Sequence, residues 1–205
     1  MDIAIVNYGM GNIGSIRNML AKLGVQAVGT SDPDVLGRAA GLVLPGVGAF
    51  DHAVRRLEDL GLIECLNDLV LNQHRPILGL CLGMQLLSKD SEEGSLPGLG
   101  WIDAYTRQLN VIGLSLPLPH MGWNEVTPEG PHAVVSADLL TDARFYFVHS
   151  YYVECSDERD IIATTEYGSR FPSIIGHDNI LGIQFHPEKS HRFGMALLGR
   201  WASSL

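Results

Sequence analysis

The chain has 205 residues, of which 46% are hydrophobic and 18% charged, a composition typical of globular proteins and far from that of disordered chains. Its 14 Lys and Arg against 23 Asp and Glu give a net charge of −9, which provides no basic surface for nucleic acid, and no apolar run reaches the ~18 residues of a membrane span. We therefore expect one domain over residues 1–205 that has no nucleic-acid or membrane partner and, without the basic start of a secretory signal, resides in the cytoplasm.

Short β-rich runs alternate with amphipathic stretches in the first half of the chain, which is the pattern of a parallel sheet covered by helices. We predict strands near residues 2–7, 25–30, 41–45 and 76–80, and helices near 12–23, 50–72 and 83–89. After Gly94 the chain is richer in Pro and Gly, which favours an antiparallel extension of the same sheet. Its predicted strands lie near 133–136, 145–152, 161–166, 173–175 and 181–185, before a helix near 190–202. The predicted fold class is α/β, with three layers and a mostly parallel central sheet.

Residues 79–83 read Gly-Leu-Cys-Leu-Gly, at the junction between a predicted strand and a predicted helix. This is the G-x-nucleophile-x-G arrangement of a nucleophile elbow, with Cys81 as the nucleophile. The glycines leave room for a strained turn, and the free amides at the helix start favour the thiolate. The alternative is a buried structural cysteine, which we prefer for Cys65 in a predicted helix and for Cys155 in a predicted strand.

A thiol nucleophile needs a base, and His186 is the leading candidate. Residues two apart in an extended segment point the same way, so His186 and Glu188 are expected to project together from one strand end. Pro187 biases His186 toward the extended conformation. Glu188 can then fix the imidazole tautomer while His186 takes the thiol proton. An isolated histidine is more often structural or solvated, and the pairing with the Cys81 elbow is what favours catalysis.

The other histidines carry weaker signals. His149 lies between aromatic residues, where it can line a pocket or pack in the core. Five more are expected at the surface, and no spacing predicts a metal site: His52, His74, His132, His177 and His191.

Two glycine-rich turns follow predicted strands. Residues 45–48, Pro-Gly-Val-Gly, have accessible backbone amides that can donate to an oxyanion beside the elbow, although an ordinary connection is equally compatible. Residues 9–14 fit Gly-x-Gly-x-x-Gly, and Asp32 follows the second predicted strand, so the parts of a dinucleotide-binding fingerprint are formally present. A dinucleotide-binding module is therefore the main alternative function, but it leaves the Cys81 elbow and His186 unexplained.

These features together resemble the class I glutamine amidotransferases, whose pattern is a PGxG oxyanion loop, a G-x-C-x-G elbow and a distant HPE. Within that class, the chain is similar in order and spacing to the family of glutaminase subunits of imidazole glycerol phosphate synthase. The segments that carry the resemblance are NYGMGNIGS at 7–15, PGVGAF at 45–50, GLCLGMQLL at 79–87, SEEG at 91–94, PHMGWNEV at 119–126, FYFVHSYYV at 145–153, TTEYG at 164–168 and GIQFHPEKS at 182–190.

The resemblance implies hydrolysis of glutamine to glutamate and ammonia, with no cofactor and no metal. It implies that Cys81 attacks the carboxamide, that His186 moves protons and that Glu188 orients His186. The backbone amides implied for the oxyanion hole are those of Val47, Gly48 and Leu82. The residues implied to bind glutamine are Gly46, Gln85, Glu93, His149, Ser150 and Tyr151.

The resemblance also implies a partner. Members of the family pass ammonia through a tunnel to a (β/α)8-barrel cyclase subunit, which makes imidazole glycerol phosphate and the purine precursor AICAR in histidine biosynthesis. The residues implied at the interface of such a heterodimer are Asn12, Trp123, Tyr146 and Lys189, with a place in the core as an equal alternative for Trp123. A related alternative is a paralogue that supplies ammonia for amidation of a surface-polysaccharide sugar.

Overall fold

An eight-stranded sheet forms the centre of this computed structural model, which describes residues 2–111, 113 and 115–205. Five neighbouring strands are parallel, and the other three continue the sheet in antiparallel fashion. In spatial order the strands are β2 (Gln26–Thr30), β1 (Asp2–Val6), β3 (Gly41–Gly46), β4 (Ile77–Cys81), β12 (Ile180–Ile183), β11 (Ser169–His177), β10 (Ile161–Tyr167) and β7 (Thr127–Pro128). The predicted mostly parallel sheet with an antiparallel extension is confirmed.

Alternating apolar side chains give the sheet a hydrophobic core on each face. Along β1, Ala4 and Val6 belong to one cluster of buried residues, whereas Ile3 and Ile5 belong to the other. Because central parallel strands are covered on both sides, β3 and β4 are buried along their whole length. This arrangement is the predicted three-layer α/β fold.

Helices cover both faces of the sheet. Buried residues of α1 and α7 pack in the cluster that contains Ile3, and those of α2, α3 and α4 pack in the cluster that contains Ala4. Their bounds are α1 (Ile13–Lys22), α2 (Pro33–Arg38), α3 (Phe50–Asp59), α4 (Leu62–Asn67), α5 (Leu82–Gln85), α6 (Ala137–Leu140) and α7 (His191–Ser203). In the described part of the chain, no helix has the length and apolar character needed to cross a membrane.

Two antiparallel ribbons accompany the main sheet. One pairs β5 (Ala104–Gln108) with β9 (Tyr151–Cys155), and the other pairs β6 (His120–Glu125) with β8 (Arg144–His149). Only Ser150 separates β8 from β9, so the chain passes directly from one ribbon to the other.

The predicted helix over residues 50–72 is wrong as a single element. The chain instead forms α3, then α4, and then a π-helical turn at Asp68–Asn72. Gly61, between α3 and α4, has φ 64°, which lies in the left-handed region and cannot continue a right-handed helix.

Three shorter predictions also need correction. The helix predicted for 83–89 ends at Gln85, whose carbonyl oxygen accepts a hydrogen bond from the Ser88 hydroxyl at 2.7 Å. The run 133–136 is not a strand, because the Val134 and Val135 amides donate to the His132 ring rather than to a neighbouring strand. The strand predicted for 145–152 is two strands that belong to different ribbons.

Candidate active site

Cys81 ends β4 in a backbone conformation that few non-glycine residues adopt. Its φ of 54° and ψ of −109° turn the chain directly from the strand into α5. A Cβ atom on Gly79 would lie 2.7 Å from the Gly83 carbonyl oxygen, and one on Gly83 would overlap the Leu44 carbonyl oxygen. Both glycines are therefore needed for the close approach of strand, elbow and helix.

His186 and Glu188 form a buried pair just beyond β12. The His186 Nδ1 atom lies 2.9 Å from Glu188 Oε1, and the two side chains are 3% and 2% exposed. Because a carboxylate only accepts hydrogen bonds, Nδ1 carries a proton and Nε2 is left for other chemistry. Within the described residues, His186 Nε2 and Glu188 Oε2 are buried without a hydrogen-bond partner.

The imidazole of His186 has an unusual pKa. Burial lowers this pKa, but electrostatic interactions with Cys81 and Glu188 raise it more, from 6.5 to about 9. The raised pKa favours the protonated, positively charged imidazole. Such a group can stabilise an anionic sulfur beside it and can pass a proton to a leaving group.

The 45–48 turn lies beside the elbow because β3 and β4 are parallel neighbours, with Gly46 directly opposite Cys81. The Tyr8 hydroxyl donates to the Pro45 carbonyl oxygen at 2.6 Å, and the Tyr8 side chain is fully buried. Gly48 has φ 107°, a conformation that favours glycine. The turn is thus held next to the sulfur by both the sheet register and the Tyr8 hydrogen bond.

The glycines of residues 9–14 have a packing role. A Cβ atom on Gly11 would lie 2.7 Å from the Pro45 Cβ atom, and one on Gly9 would lie 3.4 Å from an Arg56 guanidinium nitrogen. Gly14 differs, because a Cβ atom there would have no neighbour within 4 Å. The close approach to Pro45 accounts for Gly11, and the φ of 87° accounts for Gly9, in both cases without a nucleotide.

A cavity of about 460 Å³ contains the elbow and the histidine. Most of the predicted catalytic and glutamine-binding residues line it. Gly46 and Glu188 do not, because Gly46 is buried against Leu82 and Glu188 is buried against His186. Lys189, predicted at a partner interface, also lines the cavity. The lining residues are Val47, Gly48, Cys81, Leu82, Gln85, Glu93, Val148, His149, Ser150, Tyr151, His186 and Lys189.

Amide side chains connect the elbow to the opposite wall of the cavity. Gln85 Nε2 donates to the Tyr151 carbonyl oxygen at 3.0 Å and lies 3.4 Å from Gln184 Oε1. Gln184 Nε2 in turn lies 3.8 Å from Cys81 Sγ. These contacts fix the position of the 149–151 segment relative to the nucleophile.

The side chain of Glu93 reaches the N-terminal end of α3. Its Oε2 atom accepts a hydrogen bond from the Phe50 amide at 3.0 Å, and partial burial raises the pKa of the carboxyl group above its ordinary value. The cavity therefore has a carboxylate among its lining residues.

Comparison with known proteins identifies the family. Residues 4–201 match the family model of class I glutamine amidotransferases. The chain belongs to the class I glutamine amidotransferase family. It is 52% identical to imidazole glycerol phosphate synthase subunit HisH 2 of Methanococcus maripaludis, with 96% of each chain covered. It is 46% identical to subunit HisH of Bdellovibrio bacteriovorus, with 96% of this chain and 97% of that relative covered.

The fold of this amidotransferase also matches a solved structure. A crystallised glutamine amidotransferase superimposes with a TM-score of 0.74 at 18% identity, over 98% of each chain. At this identity the match supports the fold alone, and the close relatives supply the family. The chain is therefore an enzyme of this family, as predicted.

Three of the residues predicted at a partner interface form a contact series, namely Trp123, Tyr146 and Lys189. Trp123 is 45% exposed, so it does not lie in the core. Its ring contacts Tyr146 edge-on at 6.0 Å, and the Lys189 ammonium lies 5.6 Å from the centre of the Tyr146 ring. Asn12 is exposed just before α1.

The remaining cysteines and histidines lie outside the cavity. Burial raises the pKa of Cys155 to about 12 and also raises the pKa of Cys65, so both thiols remain protonated at neutral pH. Four of the five histidines expected at the surface are exposed, whereas His132 is half-buried. No cluster of acidic, His and Cys side chains among the described residues could hold a metal ion.

Three residues near the site were missed by sequence reasoning. His120 is 3% exposed and contacts His149, Gln184 is fully buried beside Cys81, and Tyr8 donates to the 45–48 turn. His120 lies in the segment PHMGWNEV, where polar residues alternate with Met121 and Trp123. This alternation predicts Met121 and Trp123 inside and His120 at the surface, whereas the structure has His120 buried and the other two exposed.

Proposed function

We propose that this amidotransferase hydrolyses glutamine to glutamate and ammonia through Cys81, His186 and Glu188. The observation that carries the proposal is that a strained cysteine elbow and His186 line one cavity, with the Glu188 carboxylate buried against the His186 ring. A nucleophile, a base and a residue that orients the base are the three parts required for covalent acyl transfer.

In the proposed reaction, the Cys81 sulfur attacks the carbon of the glutamine carboxamide and forms a tetrahedral intermediate. Protonated His186 gives its proton to the leaving nitrogen, the C–N bond breaks, and ammonia and a thioester are formed. His186 then removes a proton from water, which attacks the thioester and releases glutamate. Glu188 keeps Nδ1 protonated throughout, so that Nε2 performs each proton transfer.

Backbone amides stabilise the negative oxygen of the intermediate in this proposal. The Leu82 amide is in the first turn of α5, where amides have no partner inside the helix. The Val47 and Gly48 amides belong to the turn beside Cys81. Donors on two sides of the sulfur can meet the oxyanion as it forms.

Glutamine is proposed to lie between the elbow and the 149–151 segment. The carboxylate of Glu93 suits the α-ammonium group of glutamine, and backbone groups of Ser150 and Tyr151 suit its polar ends. Gly46 contributes indirectly, because it allows the turn to lie close to Leu82.

The ammonia is proposed to pass to a cyclase partner of (β/α)8-barrel fold, in a heterodimer that serves histidine biosynthesis. The names of the relatives in Methanococcus maripaludis and Bdellovibrio bacteriovorus describe subunits of imidazole glycerol phosphate synthase. Three apolar side chains are exposed near the cavity: Val47 (44%), Met121 (61%) and Trp123 (45%). Exposed apolar residues next to a reactive site favour a surface that a second subunit covers.

The experiment is glutamine turnover by the chain together with its copurified partner. Cys81→Ala is expected to abolish glutamine-dependent turnover and to leave ammonia-dependent turnover by the partner intact. Cys65→Ala is the matched control and is expected to retain both activities. Loss of both activities in Cys81→Ala would contradict ammonia transfer between the subunits.

The identity of the acceptor is tested with the same complex. Consumption of the ammonia in forming imidazole glycerol phosphate supports the histidine pathway. Amidation of a surface-polysaccharide sugar by the copurified partner would contradict that assignment and retain the glutaminase chemistry.

A further inference from the structure

His120 is a buried residue beside the cavity that the proposed chemistry does not use. It lies directly opposite His149 in the β6–β8 ribbon, and its side chain is almost completely buried. The His120 Nδ1 atom is 3.1 Å from the His149 Nε2 atom. Two imidazoles in hydrogen-bond contact require one to donate and the other to accept.

The surrounding groups decide which imidazole donates. The His149 Nδ1 atom lies 2.8 Å from the Tyr151 carbonyl oxygen, which can only accept, so Nδ1 carries the proton and Nε2 accepts. His120 must then donate from Nδ1. The tautomers of both rings follow from one backbone carbonyl.

The second ring nitrogen of His120, Nε2, also has a hydrogen-bond partner in this arrangement. With its proton on Nδ1, His120 accepts at Nε2 from the Asn124 side-chain amide at 3.2 Å. The same amide donates to the Glu166 carbonyl oxygen at 2.9 Å, and Asn124 Oδ1 accepts from the Glu125 amide at 2.8 Å. Every hydrogen bond from Glu166 to Tyr151 therefore has a single compatible direction.

This hydrogen-bond chain ends at an atom of the cavity wall. The Tyr151 carbonyl oxygen accepts from His149 and also from Gln85, and all three residues line the cavity. Burial lowers the pKa of His120 to about 4 and that of His149 to about 3, so both rings are neutral at pH 7, as the directed chain requires.

We propose that His120 is a positioning residue for the glutamine subsite. Its Nδ1 proton holds His149 in one tautomer, and this fixes the 149–151 segment that faces the substrate. The inference rests on the proposed function, because it assigns a role within that same site.

Two substitutions of His120 can separate the effect of its hydrogen bond to His149 from the effect of its ring packing. The ring stacks on Tyr167 with centroids 4.0 Å apart and on Phe147 at 4.8 Å. His120→Phe preserves an aromatic ring in this stack but removes the donor to His149. His120→Asn loses the ring but retains an amide N–H at the place of Nδ1.

The experiment measures how the labelling rate of Cys81 saturates with a diazoketone analogue of glutamine, in the full chain with its copurified partner. In His120→Phe the half-saturating concentration is expected to rise about tenfold, as for loss of one buried hydrogen bond, with less change in the maximal rate. His120→Asn is expected to restore most of the affinity. Alkylation by iodoacetamide, which does not use the subsite, is expected to be unchanged in both variants.

His132→Phe is the matched control, because His132 accepts hydrogen bonds from the Val134 and Val135 amides and has no part in the hydrogen-bond chain from Glu166 to Tyr151. It is expected to bind the analogue like the wild type. Unchanged half-saturation in His120→Phe would overturn the inference, as would an equal defect in His120→Asn. A wild-type chain that is not labelled at all would instead overturn the proposed function.

Nitrogen NMR of the wild-type histidines gives a second test that needs no variant to fold. His120 and His149 are both expected as neutral tautomers with the proton on Nδ1. A proton on Nε2 of either ring would contradict the direction of the chain and overturn the inference.

Discussion

Gly46 and Cys81 lie opposite one another at the carboxyl ends of β3 and β4, two parallel strands in register. This pairing brings the 45–48 turn next to the sulfur, although the two segments are far apart in sequence. Because both strands are buried in the middle of the sheet, neither end can shift without disturbing the core. The distance between turn and nucleophile is therefore set by the sheet itself.

The first prediction concerns Gly46. A Cβ atom there would lie 2.8 Å from the Leu82 Cβ atom and 2.9 Å from both the Gly83 amide nitrogen and the Tyr8 hydroxyl. Gly46→Ala is expected to displace the turn and to slow labelling of Cys81 by the glutamine analogue about 100-fold, because misplacement near 1 Å has effects of that order. Saturation kinetics of labelling are the measurement.

Gly14→Ala is the control for this substitution, because it adds a methyl group in open space on α1. It is expected to leave labelling unchanged and to stabilise the fold by up to about 1 kcal/mol, since alanine is the better helix former. Equal labelling rates in Gly46→Ala and Gly14→Ala would contradict the proposed role of the turn.

The second prediction concerns the titration of His186. The imidazole is expected to titrate by NMR near its raised pKa of about 9. A raised pKa in the folded state stabilises the fold fully below the unfolded value of 6.5, and this contribution is lost as the pH rises through about 9. Glu188→Gln is expected to lower the titration midpoint of His186, because this variant lacks the carboxylate that favours the protonated ring. A wild-type midpoint near 6.5 would contradict the charged pair.

The third prediction concerns the partner surface. The Trp123 ring stacks on His191 at 5.3 Å while remaining 45% exposed, which leaves one face for a partner. Trp123→Ala is expected to weaken binding of the copurified partner by about 2 kcal/mol, as for a central aromatic interface residue. Leu71→Ala removes a similarly exposed apolar side chain, 46% exposed on the π-helical turn, and is expected to have no effect. Equal binding by both variants would argue against this surface, as measured by calorimetry.

The fourth prediction concerns Asp51 at the beginning of α3. Its carboxylate accepts from the Leu96 amide at 3.0 Å and from the Ser95 amide at 2.9 Å, and these bonds hold the pKa of Asp51 below its ordinary value. A lowered pKa stabilises the fold above the unfolded value, and the contribution is lost as the pH falls through the folded value. Asp51→Asn is expected to unfold at lower denaturant concentration at neutral pH, with no difference at strongly acidic pH. If the wild type and Asp51→Asn unfold at the same denaturant concentration at neutral pH, the proposed stabilisation by Asp51 is refuted.

The local motifs of the site were predictable because each one is contiguous in sequence. The strand, elbow and helix around Cys81 follow from its two glycines, and the His186 pair follows from spacing alone. What the local pattern does not contain is the strand order. β12 lies beside β4 in the sheet, and this long-range pairing is what brings His186 to Cys81.

Other features depended on tertiary contacts and were missed for that reason. His120 is buried only because Phe147 and Tyr167 enclose its ring, and nothing in a short window predicts that enclosure. The edge ribbons β5–β9 and β6–β8 lack the apolar runs of the central strands, so β5 and β6 were not predicted. The break after α3 did have a local signal, because position 61 is a glycine, the residue that most readily takes the left-handed conformation found there.

The central claim is that Cys81 is the nucleophile activated by His186, and covalent labelling tests it most directly. Wild-type chain is incubated with the diazoketone analogue of glutamine and its peptides are analysed by mass spectrometry. We expect one adduct, on Cys81, which persists in Cys65→Ala and Cys155→Ala and forms far more slowly in His186→Ala. Absence of the adduct from Cys81, or labelling as fast in His186→Ala as in the wild type, would contradict the account.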